Sequence, residues 1–232
     1  MKKILVFYLA LCTSGMLSAQ LSSVYDEDMN AIHLSAGLEK GKEVDGFSCE
    51  LGLSLKSHFE IEGSYIKTNF NTQDQYTYDG YINGVSGMLT WWFLSNQMDN
   101  KTSYSLGLKG GLESNDYRNY RYWKDEATFI EYDGYSVGKL GLTFAMNHWV
   151  DNQLIVMPTA SAFYERGNST TTNIFINSHD YCKGMTGKIG AYLMRKTNYS
   201  DVLYLYPSVL FNYHERKAPV MLNLTVGMMV GY

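Results

Sequence analysis

The sequence is poor in charge. Of its 232 residues, 18% are Asp, Glu, Lys or Arg, below the ~25% of an average soluble domain. Aromatics make up 15% and hydrophobic residues 45%. This excludes a disordered chain, which needs high charge and few aromatics. A basic surplus is also missing. The net charge is −4, whereas a nucleic-acid surface needs Lys and Arg in excess, so no nucleic-acid partner is expected. Proline is scarce, with 3 residues, and cysteine equally so, with 3. No Cys-x-x-Cys or clustered Cys/His pattern occurs, so no metal and no other cofactor is expected. Beyond the N-terminus there is no apolar run of the ~18 residues a spanning helix needs.

What is there starts with a targeting segment. Lys2 and Lys3 precede the apolar run Ile4 to Leu11, and Leu17-Ser18-Ala19 stands before Gln20. This fits a signal peptide over residues 1–19, cleaved after Ala19, with a single domain over 20–232. A lipid anchor on Cys12 would need a small residue where Leu11 stands. Cys49 and Cys182 fall on distant strands and are expected to be free thiols.

The mature chain alternates with period two. Val220, Leu222, Leu224, Val226, Met228, Val230 and Tyr232 share one face; Asn223, Thr225, Gly227 and Gly231 lie on the other. Phe47 to Leu55, Val85 to Phe93, Leu106 to Leu112 and Leu140 to Met146 repeat the pattern. Successive side chains of a strand point to opposite faces. Ten strands are expected, near 30–39, 46–55, 58–67, 80–94, 102–113, 134–147, 152–164, 183–195, 201–213 and 219–232. Long connections are expected near 68–79, 114–133 and 165–182, and short ones near 56–57, 95–101, 148–151 and 196–200. Tyr78-Asp79-Gly80-Tyr81 recurs as Tyr132-Asp133-Gly134-Tyr135, a two-strand repeat of a growing barrel. Pro158 and Pro207 fall inside strands, where each removes a ladder donor; they imply bulges or shifted boundaries.

Two architectures share this alternation. A secreted soluble barrel would turn the apolar face inward onto an apolar ligand. A membrane barrel turns it outward to lipid. Phe59, Trp91, Phe93, Tyr104, Trp149 and Tyr232 gather at the short-turn end like an interfacial girdle, and the opposite face is rich in Gly, Ser and Thr, as a narrow lumen requires. The fold expected is therefore all-β: an up-and-down antiparallel transmembrane β-barrel of about ten strands, with eight the alternative.

With these features, and with the closing run Leu222 to Tyr232, the chain resembles the small outer-membrane β-barrels of Gram-negative bacteria, the OmpA-like and OmpX-like barrels. The resemblance implies residence in the cell outer membrane with both termini periplasmic. It implies contact with outer-membrane lipid and lipopolysaccharide, and a role for Tyr232 as the signal read by the barrel-assembly machinery.

Chemistry is confined to lumen and loops. The inward phase carries Glu50, Glu60 and Glu62 on neighbouring strands and Lys109, Lys139 and Lys188 further round, a set expected to form a salt-bridged plug; a narrow pore is the alternative. Tyr117, Arg118, Tyr120, Arg121, Tyr122 and Trp123 cluster in one loop. Tyr, Trp and Arg are hot-spot residues, so this loop is a candidate site for a surface glycan or protein partner. His33 faces the lumen as a polar filler. His179-Asp180 and His214-Glu215 are adjacent pairs whose side chains diverge in a strand, so no catalytic residue is assigned and no enzymatic activity is expected.

Overall fold

The computed structural model describes residues 30–41, 44–56, 58–73, 77–123, 126–173, 177–197, 201–212 and 220–232. The segment expected to be a signal peptide, with Cys12, and His214 with Glu215, lie outside these. Ten strands account for the described chain: β1 (Ala31–Gly41), β2 (Val44–Leu55), β3 (Phe59–Gln73), β4 (Thr77–Gln97), β5 (Thr102–Trp123), β6 (Glu126–Trp149), β7 (Leu154–Asn173), β8 (Asn177–Lys196), β9 (Asp201–Asn212) and β10 (Val220–Gly231). Each pairs antiparallel with its chain neighbours, and β1 pairs with β10 from Ala31↔Gly231 to Gly41↔Met221, closing the barrel. The ends are sealed by reciprocal backbone bonds between Asn30 and Tyr232, at 3.2 and 2.9 Å.

The face question is settled by exposure. A closed single-layer sheet has only an inside and an outside, so a buried side chain points inward. Along β1 burial alternates strictly, with Ile32, Leu34 and Leu38 outside and His33, Ser35 and Glu39 inside. Leu51, Leu89, Leu112, Leu140, Ile189, Leu203 and Leu224 extend the apolar belt around the wall. Such a surface suits hydrocarbon and not water.

The strands differ greatly in length. β9, β10, β1 and β2 have 11 or 12 residues, whereas β4 to β8 have 20 to 24. Twelve residues at ~3.3 Å each, tilted by ~40°, span about 30 Å, the thickness of a bilayer core. The 24 residues of β6 reach about twice that by the same arithmetic. The expected long loops at 68–79, 114–133 and 165–182 are therefore corrected: most of each is ladder, as in Tyr81↔Arg118, Tyr135↔Ser169 and Thr170↔His179. The apolar face ends at the membrane boundary, but backbone pairing does not depend on it. Tyr and Thr, which recur along these stretches, favour extended backbone.

The prolines are accommodated without bulges or shifted boundaries. The β6–β7 ladder passes from Ala145↔Thr159 to His148↔Val156 and the β8–β9 ladder from Gly190↔Ser208 to Leu193↔Leu205. Each gap omits two pairs and keeps the register. Pro158 lies in one gap and Pro207 in the other, where no N–H is available. Pro158 still pairs with Ala191, and Pro207 with Leu224. The register shifts fall elsewhere, at Trp92/Leu94 and Asn119/Tyr120.

Candidate functional site

The lumen is built in layers. At the short-turn end it is filled with apolar side chains: Ala31, Ala145, Ile155, Met157, Met194, Val202 and Met229 are all buried and in one cluster. They come from the ends of six strands. Trp149 packs against this cluster, which corrects its expected place in the lipid-facing girdle. Trp91 and Phe93, whose ring centroids are 5.7 Å apart, and the exposed Phe59 and Tyr232 remain there.

Three tyrosines adjoin the cluster. Tyr192 stacks on Tyr206 at 3.9 Å and meets Tyr204 edge-on at 5.3 Å. Offset and edge-on ring contacts are the favourable ones. The Tyr206 hydroxyl shares a 2.9 Å hydrogen bond with Thr159. Next to these rings lies a polar cavity of about 70 Å³, lined among others by Glu50, Glu60, Glu62, Lys109, Lys188 and Tyr206.

The six expected lumen residues sort as follows. Lys109 forms an ion pair with Glu62. Glu50 lies 3.7 Å from His33 Nδ1, and Glu60 is buried. Lys139 pairs with two acids that the sequence reading did not single out, Glu113 and Glu165, the latter at 2.6 Å. Lys188 is not in an ion pair among the described residues; its ammonium sits over the Tyr206 ring, 4.7 Å from the centroid, a cation–π contact. One six-member network is thus replaced by two separate ion clusters and a cation on a ring.

The missed acids have their partners. Glu113 accepts from Asn115 Nδ2 at 2.6 Å and from Tyr135 at 3.3 Å, and Glu165 from Thr186 at 2.7 Å. Glu39, also missed, accepts from Thr68 and Asn223, each at 3.2 Å. Glu165 lay in a segment taken as loop, so inward phase was not extended to it; Glu113 closed the strand expected at 102–113, in phase with Lys109. Glu39 could have been found, because it shares the phase of His33 on β1.

The backbone of Tyr117, Arg118, Tyr120, Arg121, Tyr122 and Trp123 belongs to β5; their side chains lie outside the described residues. His179 is exposed and bonds Thr170 at 3.0 Å. Cys49 and Cys182, on β2 and β8, form no disulfide among the described residues.

Outside the barrel, β7 and β8 carry a rim above the apolar belt. Tyr164 and Tyr181 are exposed. Arg166 and Lys183 are cross-strand partners, both exposed, and the Arg166 guanidinium lies 5.2 Å from the Tyr181 ring centre.

No family model matches the chain. No curated protein matches it either. Solved structures do. The translocator domain of the autotransporter NalP from Neisseria meningitidis has 10% identity, covers 90% of this chain and 90% of its own, and superposes with a TM-score of 0.53. The outer membrane protease OmpT from Escherichia coli has 10% identity, covering 94% of this chain and 100% of its own, at a TM-score of 0.46. The attachment invasion locus protein Ail of Yersinia pestis has 8% identity, covering 89% and 100%, at 0.37. At these identities the likeness to the translocator domain bears on fold alone. Together with the outward apolar belt and the closed ladder, it defines the class: an up-and-down antiparallel β-barrel with a lipid-facing wall.

Proposed function

We propose that the chain is an integral outer-membrane β-barrel with a closed lumen, acting structurally and through surface contacts made by β4 to β8. The observation that carries this reading is the pairing of an apolar cluster across the short-turn end with strands that outrun the bilayer on the other side. Beside that cluster the charged layer, with its Lys109–Glu62 ion pair, leaves a polar cavity of about 70 Å³. The surplus strand length has no spanning role, so it is available for contact.

Two contacts follow from the chemistry. Arg166 and Lys183 stand between Tyr164 and Tyr181 on the outer rim, where anionic lipopolysaccharide headgroups would lie. The aromatic and arginine run Tyr117 to Trp123 is the candidate surface for a glycan or protein. Tyr232, exposed at the end of the last strand, would serve recognition by the assembly machinery. No catalytic role is proposed.

Two measurements test this. Outer-membrane fractions of expressing cells are run on SDS gels before and after boiling; the folded barrel should migrate faster unboiled. The purified protein is then placed in a planar bilayer, where no stepwise conductance is expected. Recovery in the soluble periplasm would overturn the membrane assignment, and regular ion-conducting steps would replace the closed lumen with the narrow pore.

A further inference from the structure

The interior also contains a set of groups that the closed-barrel reading does not use. His33 is 1% exposed, and neither ring nitrogen has a hydrogen-bond partner among the described residues. A buried imidazole with both nitrogens unsatisfied costs free energy unless something is bound there. Register explains where the ring points. His33 pairs with Gly52, and Gly52 pairs in turn with Glu62, so the three form one row across β1, β2 and β3. A Cβ at position 52 would overlap His33 Nε2. The glycine therefore leaves the space into which the imidazole lies, toward Glu62. Glu50 is two residues before Gly52 on the same inward face of β2, and its carboxylate is 3.7 Å from Nδ1. One ligand atom each of His33, Glu50 and Glu62 lies within 4.8 Å of the others.

We propose that His33, Glu50 and Glu62 form an interior binding site for a divalent transition-metal ion, zinc foremost. Imidazole and carboxylate are both zinc donors, and three protein ligands leave a fourth position for water. Ligand atoms around tetrahedral zinc stand about 3.3 Å apart, given bonds of ~2.0–2.2 Å. Small side-chain rotations close the remaining gap. An imidazole also selects zinc, nickel or copper over magnesium and calcium. Lys109 pairs with Glu62 through Oε2, which leaves Oε1 for the metal and orients the carboxylate from outside the coordination shell. The surrounding cavity is lined by three carboxylates, Glu50, Glu60 and Glu62, against two ammonium groups, Lys109 and Lys188. The excess of negative charge favours a cation, and the cavity has room for the water ligand.

The test uses the folded full barrel in detergent, stripped with chelator and titrated with Zn²⁺ alone by calorimetry, and with Co²⁺ followed in the visible spectrum. One equivalent of Zn²⁺ and the absorption bands of four- or five-coordinate Co²⁺ are expected. His33→Gln and Glu50→Gln should each weaken Zn²⁺ binding by about 100-fold or more, since loss of an outer-shell partner alone costs ~10–100-fold. Gly52→Ala should do the same by displacing the ring. Each variant is accepted only if it keeps the heat-modifiable gel shift of the folded barrel. His148→Ala with His179→Ala, which removes two exposed imidazoles, should bind as the parent does. Absence of stoichiometric binding in the parent overturns the proposal. So does one-equivalent binding that survives His33→Gln, or that disappears with the exposed histidines.

Discussion

The Lys139 ammonium lies 2.6 Å from the carboxylate of Glu165, a side chain with 0% exposure. The same ammonium also pairs with Glu113, so one cation serves two acids on the strands to either side, β5 and β7. Losing one partner of a buried ion pair costs more than losing the pair, because the survivor is left uncompensated.

Lys139→Met is therefore expected to destabilise the barrel by about 3–5 kcal/mol, whereas Glu165→Gln, which leaves Lys139 paired with Glu113, should cost clearly less. Urea unfolding in detergent, followed by tryptophan fluorescence, gives the comparison. Equal losses in the two variants would show that the three groups are not coupled as described.

The apolar cluster at the short-turn end makes its own prediction. Met157, Met194 and Met229 are fully buried there. Replacing all three by Gly removes the bulk of that layer, and the silent barrel should acquire measurable conductance in a planar bilayer. The triple variant should remain heat-modifiable on gels, because no ladder bond is lost. A folded but still silent triple variant would place the seal in the charged layer instead.

Acid sensitivity is expected at a turn and not only in the lumen. The Asp151 carboxylate accepts from the backbone of Gln153 at 2.7 Å and of Leu154 at 2.8 Å. These bonds hold its pKa below the ordinary 3.8. A lowered carboxyl pKa contributes stability in full above the unfolded value, and loses it as pH falls through the folded one. Asp151→Ala should thus lower the urea midpoint at pH 7, and the difference from the parent should vanish only below pH 3.8. A difference that is constant down to about pH 2 would mean that the charge is not involved.

The β2–β3 turn carries a small strain. Lys56 has φ 44°, the left-handed region that side chains other than Asn, Asp and Gly avoid. Lys56→Asn should raise stability by about 0.5–1 kcal/mol, read in the same urea assay. The backbone N–H of residue 56 keeps its 3.2 Å bond to Asn30 Oδ1, so no contact is lost. An unchanged or lowered midpoint would rule out strain at this position.

Much of the barrel was legible because period-two alternation is a local signal. Leu222, Leu224, Val226 and Asn223, Thr225, Gly227 announce their faces without any tertiary information. The interior cluster was harder to see, yet it left a trace. In Leu154-Ile155-Val156-Met157 and in Val202-Leu203-Tyr204-Leu205-Tyr206 both phases are apolar, as a strand buried on two sides must be. Alternation alone hides such runs. The grouping of His33 with Glu62 was not legible at all, since it needs the register that sets Gly52 between them. The outer parts of β5 to β7 were missed for the opposite reason: the sequence there no longer alternates apolar with polar, so hydrophobicity stopped reporting while backbone pairing continued.

The unequal strand lengths have a further consequence at β8. A closed barrel has no free sheet edge, but β8 meets β9 only from Thr186 onward, and from Asn177 to Met185 it is laddered to β7 alone among the described residues. Among the described residues, the two-sided pairing seen within the apolar belt therefore does not reach this outer part of β8. Asp180 and Lys183 are exposed on this stretch. Charges on such an outlying strand discourage indiscriminate strand addition, a protection that the uncharged belt inside the bilayer gets from closure instead.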